Sequence, residues 1–407
     1  MRILYVVPFV PREDAAHGGR VVVETMRRTA AVHEVCVLYL RPDGEPGIDS
    51  ALAETCTWVR EVVLPRRGDG AVAETVRRAR LLARVLAGTP MQVVEVESRE
   101  FGIAIERACR ELEPDVVQLE LTVTARYAPD GAAGERAATV LVAHDVGAAT
   151  AAEVRAVSTG VERLVRSLDA AAWRRFERRA LARVDSVVTL TERDAEILRA
   201  TAPRQAFSVI PLVVAPRARP LDPVGTTPPR ILFVGGFGHV PNVDAARRLA
   251  NAVAPRLRER FPDIELVLVG ASPPREVVAL RRPGVHVVGD VPSIEPYLDE
   301  AAVVVAPLRI GGGMRVKVLD ALAAGKAIVA SPRAVAGLDV VNGEHLLIAE
   351  RDDELVAAVS RLLTDPDERR ALAMGALRYV AAHRGVDEQV RAYDDLYRGL
   401  VGGPEDR

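Results

Sequence analysis

Apolar residues in this chain fall into short runs separated by longer amphipathic stretches. Arg2–Pro8, Glu34–Leu40, Val59–Leu64, Val93–Val96, Val116–Leu119, Val140–Ala143 and Asp185–Leu190 are rich in Val, Leu and Ile and are bounded by polar or turn residues. Runs of this length and composition read as strands buried on both faces, as in a parallel sheet. The segments between them are polar or spaced for helices, so the pattern predicts βαβ units with right-handed crossovers. It then breaks. Pro211–Pro229 holds Pro211, Pro216, Pro220, Pro223, Pro228 and Pro229 with little periodicity, which is linker composition. RILFVGG at Arg230 echoes RILYVV at Arg2 and restarts the alternation, with strands expected at 231–234, 266–269, 285–288, 303–308, 327–330 and 346–348. Helices are expected from a cap at Asn242 to Phe261, over Asp353–Leu363 and over Pro366–His383. The fold class is therefore α/β with two parallel-sheet domains, residues 1–215 and 226–385. A last helix within 386–407 carries Val390, Tyr393, Leu396, Tyr397 and Leu400 on one stripe, which predicts that it crosses back to the first domain.

The densest pattern is Val303–Ser331, VVVAPLRIGGGMRVKVLDALAAGKAIVAS. A buried strand leads into Gly311, Gly312, Gly313 and Met314, a helix follows with Val316, Leu319 and Ala323 at core spacing, and Gly325 ends it before the next strand. Glycines before a helix N-terminus let amides and the positive end of the dipole approach an anion, and Arg315 and Lys317 add two charges in the first turn. A phosphate or diphosphate is the expected guest. Lys317 and Lys326 are the only lysines among 54 basic residues, so a lysine at this loop stands out. Asp320 lies on the same helical side as Lys317, where it can accept ribose hydroxyls or simply form an i,i+3 pair with the lysine.

Three further features are candidates. Gly18 and Gly19 open a helix after the first strand, either as a tight turn or as a place where a phosphate or acceptor approaches. His144 follows the strand TVLVAH at its carboxyl end, where open parallel sheets bind ligands; the alternative is a packed core histidine. One long helical region, 153–183, carries Arg155, Arg163, Arg166, Arg174, Arg175, Arg178, Arg179 and Arg183. It reads as a contact for anionic lipid headgroups, as a contact for a charged acceptor, or as a solvated face partly balanced by Glu162, Asp169 and Glu177.

Composition narrows the classes. At 407 residues and 49% hydrophobic content, two well-buried domains fit better than one. A net charge of -2 does not advertise a polynucleotide partner, and three cysteines without metal or disulfide spacing fit a reducing compartment. Met1 leads straight into the first strand and no run of 18 apolar residues occurs, so the expectation is a cytoplasmic protein that does not span a membrane.

Together, the Gly-Gly near the N-terminus, the His after a central strand, PNVDAARRL at Pro241, VGDVPSIEPYLDEAAVVVAPLRIGGGMRVKVLDALAAGKAIVAS and the Gly-Glu-His-Leu-Leu segment at Gly343 resemble the GT-B glycosyltransferases. The resemblance is closest to the retaining branch called glycosyltransferase family four, in its bacterial polysaccharide and secondary-metabolite members. It implies two Rossmann-like domains facing across a cleft, an acceptor-binding first domain and a donor-binding second one. It also implies transfer of a hexose-type sugar from a nucleoside-diphosphate sugar to an acceptor hydroxyl of a small molecule, glycan or lipid-linked carrier, with retention and without a metal or other cofactor. Position by position, Gly18 and Gly19 would border the donor phosphates or the acceptor, and His144 would lie near the transferred sugar. Gly236 and the backbone of Gly289, Asp290 and Val291 would line the donor site, the last three at the base. Gly311 to Met314 would form the loop, Arg315 and Lys317 would hold the diphosphate, and Asp320 would bind the ribose. Two positions depart from the pattern. Gly312 stands where many members have a Glu that contacts the donor sugar, and Phe237, Gly238, His239 and Asn242 stand where many have Arg and Lys. Competing expectations are a GT-B sugar-nucleotide epimerase and a catalytically idle nucleotide-sugar-binding subunit. An NAD-dependent dehydrogenase is disfavoured because no GxGxxG follows the strand at Arg2.

Overall fold

A computed structural model of the chain describes residues 1–12, 19–65, 71–129, 137–214, 217, 220–312, 316–383 and 385–402. The first sheet is built from β1 (Arg2–Val7), β2 (Glu34–Pro42), β3 (Trp58–Leu64), β4 (Val116–Glu120), β5 (Ala138–Ala143), β6 (Ser186–Thr189) and β7 (Ala206–Val209), in the order β3-β2-β1-β4-β5-β6-β7. The second contains β8 (Arg230–Val234), β9 (Glu265–Val269), β10 (Val285–Val288), β11 (Ala301–Ala306), β12 (Ile328–Ala330) and β13 (Leu347–Ile348), in the order β10-β9-β8-β11-β12-β13. Every pairing in both sheets is parallel. The central strands are the apolar runs, and β11 is buried at all six positions because helices cover both faces. Strand order reverses between β1 and β4 in one sheet and between β8 and β11 in the other. A crevice opens at the carboxyl ends of the strands at such a reversal, so each sheet contributes one.

The structure corrects three expectations. Val93–Val96 is not a strand: Pro90 starts a short helix, Met91–Glu95, whose first amide donates to Asp169 Oδ1 at 2.8 Å. Val93 is buried there with Trp173 and Ala170, Val94 is buried too, and two adjacent valines in so short a run do not distinguish a helix from a strand. The basic region 153–183 is not one helix but two, Gly147–Val157 and Gly160–Leu181, which break at Ser158 and Thr159 and pack on each other. Asn242 is not a cap either. His239 holds that position before the helix Val240–Arg248, and the helical run continues through a π turn at Leu249–Val253 into Ala254–Arg260.

The terminal helix, Val386–Val401, packs on the first sheet. Tyr393 and Tyr397 join the core formed by Ile3, Tyr5 and Val37, Gln389 donates to the Pro211 carbonyl at 2.9 Å, and Asp394 lies 3.1 Å from His33. Lys326 has a purely structural place. It is fully buried, donating to the carbonyls of Asp222 and, at 3.1 Å, of Asp299, and burial pulls its amine down to about 8. It ties the segment between the sheets to the end of the helix Glu295–Glu300.

Candidate functional site

At the reversal of the second sheet, the turn after β8 and the loop after β11 come together. A Cβ at Gly270 would lie 2.0 Å from the Gly235 carbonyl oxygen, so only glycine allows the β8 and β9 turns to approach this closely. Asn242, in the first turn of the Val240 helix, donates from Nδ2 to the Gly236 carbonyl at 2.7 Å and accepts from Lys317 Nζ at 3.0 Å. The ammonium also lies 5.9 Å from the Phe233 ring centroid. Lys317 is therefore aimed by two residues of the neighbouring β8 unit. Asp320 follows one turn along the helix Val316–Ala323 and is buried. Gly311 has φ +101°, and a side chain there would come within 2.8 Å of Pro241, so the loop lies against the first turn of the Val240 helix. Gly289, Asp290 and Val291 follow β10 nearby; Asp290 adopts φ +51° and its Oδ1 accepts from the Ser272 amide at 3.0 Å, which fixes this turn to the one after β9. Gly313, Met314 and Arg315 lie outside the described residues, as does Gly18.

In the first half, Gly19 begins the helix Gly19–Ala30 and His144 stands at the end of β5, as the pattern implied. The histidine is only 6% exposed, and its Nε2 lies 2.6 Å from Glu120 Oε2. Glu120, at the end of β4, also accepts from Gln118 Nε2 at 2.6 Å, and Gln118 Oε1 accepts from Tyr397 of the terminal helix. A small cavity lined by Thr25, Glu120, His144, Gln389 and Tyr393 adjoins this chain of bonds. Glu120 was missed in the sequence, although a carboxylate closing the apolar run VVQLE was the signal that could have shown it.

The helix after His144 begins with its amides already filled. Glu177 Oε1 accepts from Ala148 N at 3.0 Å and the side chain also accepts from Gly147 N; it is 1% exposed, and burial pushes its carboxyl up to about 7. Asp145 beside it is also raised, by burial first, with His144 opposing and Asp194 adding to the rise. Gly147 admits Trp173 here, since a Cβ would fall 2.4 Å from the indole.

The same helix reaches the second half. Glu153 Oε2 accepts from the Gly311 amide at 2.6 Å, while Oε1 pairs with Arg333 at 2.8 Å and Arg193 at 3.8 Å. Thr150 Oγ1 lies 3.4 Å from where a Cβ on Gly312 would be; that oxygen is buried and has no hydrogen-bond partner among the described residues. Neither residue was singled out in the sequence, because the contact joins positions 158 residues apart. Among the described residues, no helix is long and apolar enough to cross a membrane.

Comparison with known proteins agrees with this architecture. Residues 228–365, which span the whole second sheet, match the family model described as Glycosyl transferases group 1. No curated protein sequence matches the chain. Among solved structures, a sucrose-phosphate synthase from Thermosynechococcus elongatus aligns at TM-score 0.68 with 18% identity, covering 99% of this chain and 100% of that one. HepE from Anabaena, solved with UDP and glucose, aligns at 0.61 with 12% identity over 98% and 100%. A TarM mutant from S. aureus, solved with fondaparinux, α-GlcNAc-glycerol and UDP, aligns at 0.66 with 9% identity over 98% and 100%. The fold is that of the GT-B glycosyltransferases: two parallel α/β sheets with the group 1 segment forming the second.

Proposed function

We propose that the protein is a glycosyltransferase that moves a sugar from a nucleoside-diphosphate donor to an acceptor hydroxyl with retention of configuration. The observation that carries this reading is Lys317, held by Asn242 at the start of the Val316 helix, where the strand order of the group 1 segment reverses. A leaving diphosphate needs its growing charge neutralised, and an ammonium plus a helix N-terminus supply this by preorganisation. Arg315 is assigned to the same diphosphate, Asp320 to the ribose hydroxyls, and the turns at Gly236 and Gly289–Val291 to the base side. His144, fixed by Glu120, is a positioning residue beside the transferred sugar. Retention then follows from front-face attack in which the departing phosphate takes the acceptor proton, so neither a side-chain nucleophile nor a metal has a role. Support from relatives is in kind: HepE was solved with UDP and glucose, and a trehalose-6-phosphate synthase was studied for glycosyltransfer with retention. The exposed arginines of the Gly160 helix, Arg174, Arg175, Arg178 and Arg179, suit an anionic or lipid-linked acceptor.

A thermal-shift and mass-spectrometric screen of nucleoside diphosphates and their sugars tests the reading, followed by assay of the best binder with EDTA present. Release of free nucleoside diphosphate is expected and distinguishes transfer from epimerisation. Absence of both nucleotide binding and release would sink the proposal, and activity restored only by Mg²⁺ or Mn²⁺ would sink its metal-free form. Asp320→Ala should erase any preference for ribose over 2′,3′-dideoxyribose nucleotides.

A further inference from the structure

We propose that Thr150 and Glu153, on the first-half helix that follows His144, form the wall that reads the hydroxyls of the transferred sugar. The proposal deepens the nucleotide-sugar reading and rests on it. A diphosphate held at the start of the Val316 helix leaves its substituent to run along the preceding loop, Gly311 and Gly312. Those glycines offer backbone groups only, and a side chain at Gly311 would strike Pro241. Side-chain contacts with a sugar lying along these two glycines therefore come from the facing wall.

The Gly147 helix is that wall. Thr150 and Glu153 are three residues apart, hence on one helical face, and both reach the glycines. Glu153 accepts the Gly311 amide at 2.6 Å, and Arg333 at 2.8 Å and Arg193 at 3.8 Å hold its other oxygen in place. Thr150 Oγ1 is buried facing Gly312 without a partner among the described residues, which is unfavourable unless a ligand supplies one. A carboxylate that accepts two hydroxyls, next to a threonine that both donates and accepts, suits a vicinal diol. Such polar sites reject an analogue with a missing or inverted hydroxyl far better than an apolar pocket does.

Calorimetry on the full chain with UDP, GDP, UDP-glucose, UDP-galactose, UDP-N-acetylglucosamine and GDP-mannose tests this in wild type, Thr150→Val and Glu153→Gln. Both substitutions keep side-chain volume, and melting curves confirm the fold. Wild type should prefer one sugar, and each variant should lose about ten-fold of that preference while its affinity for the bare diphosphate stays equal or rises. Unchanged discrimination with intact diphosphate binding would overturn this proposal alone. A parallel fall in diphosphate and nucleotide-sugar affinity would overturn it too, showing that the two residues only brace the loop. If wild type bound none of these probes, the nucleotide-sugar reading itself would fail.

Discussion

The Gly147 helix and the Val316 helix each follow a buried strand and begin at the crevice end of their sheet, yet the backbone amides near their starts are met differently. The Gly147 helix is closed from within its own half, by the buried carboxylate of Glu177 on its first two amides. At the Val316 helix the nearby loop amide of Gly311 is met by Glu153, a partly exposed carboxylate from the opposite half, with Lys317 close by on the first turn. A carboxylate packed into the core is a permanent substitute for an anion. One that crosses between two halves leaves when the halves separate. Helix N-termini attract anions alike, so the source of the group already there is what separates the two ends as candidates for an anion.

The strongest way to break this comparison is Lys317→Ala. Nucleoside-diphosphate binding by calorimetry should weaken by about 1.5–3 kcal/mol, the worth of a charge-assisted contact. Equal affinity would mean that the second helix end is no more an anion site than the first. His144→Ala probes the other end of the cleft: turnover should fall by about 100-fold with a much smaller change in donor KM, since the first half acts mainly in the closed, reacting state. Comparable losses in binding and turnover would place His144 on the donor instead.

Glu177 gives a pH test with a definite sign. Its folded carboxyl titrates at about 7 against an ordinary 4.5, so the folded state holds the proton more tightly. Stability from this group is fully present below about pH 4.5 and is lost as pH rises through about 7, in total on the order of 3 kcal/mol. Glu177→Gln should flatten that part of the urea-unfolding profile and leave nucleotide affinity unchanged; an unaltered slope would contradict the account of a core plug. The smallest effect is expected at the interface. Glu153→Gln removes a negative charge beside the glycine loop, and should tighten binding of the bare diphosphate by about 1 kcal/mol or less. Weaker binding would show that Glu153 supports the diphosphate site instead.

Much of this architecture was legible because it depends on local composition. Apolar runs such as VVVA and IVA can only be satisfied between two helical layers, and the helix expected after the glycine loop is present as Val316–Ala323, with Lys317 on its first turn. The misreadings of Val93 and Asn242 share a cause: both places are decided by the groups they meet in the fold, and short windows carry no record of that. Glu120 was readable in principle, as a charge at the end of a buried strand, but its partner His144 is 24 residues away and their bond depends on β4 and β5 being neighbours.

By itself, the sequence determined two α/β units, most of their strands, a glycine loop with a scarce lysine, and a terminal helix with one apolar stripe. Tertiary structure decided which polar groups meet. It bound Lys317 to Asn242, gave Lys326 the carbonyls of two distant segments, and turned His144 toward Glu120. It also brought Glu153 and Thr150 across to the glycines. The physical reason is range. Strand and helix preferences arise within a few residues, whereas burying a charge or an amide requires a partner wherever the fold can place one, and that choice is made only when the strands take their order in the sheets.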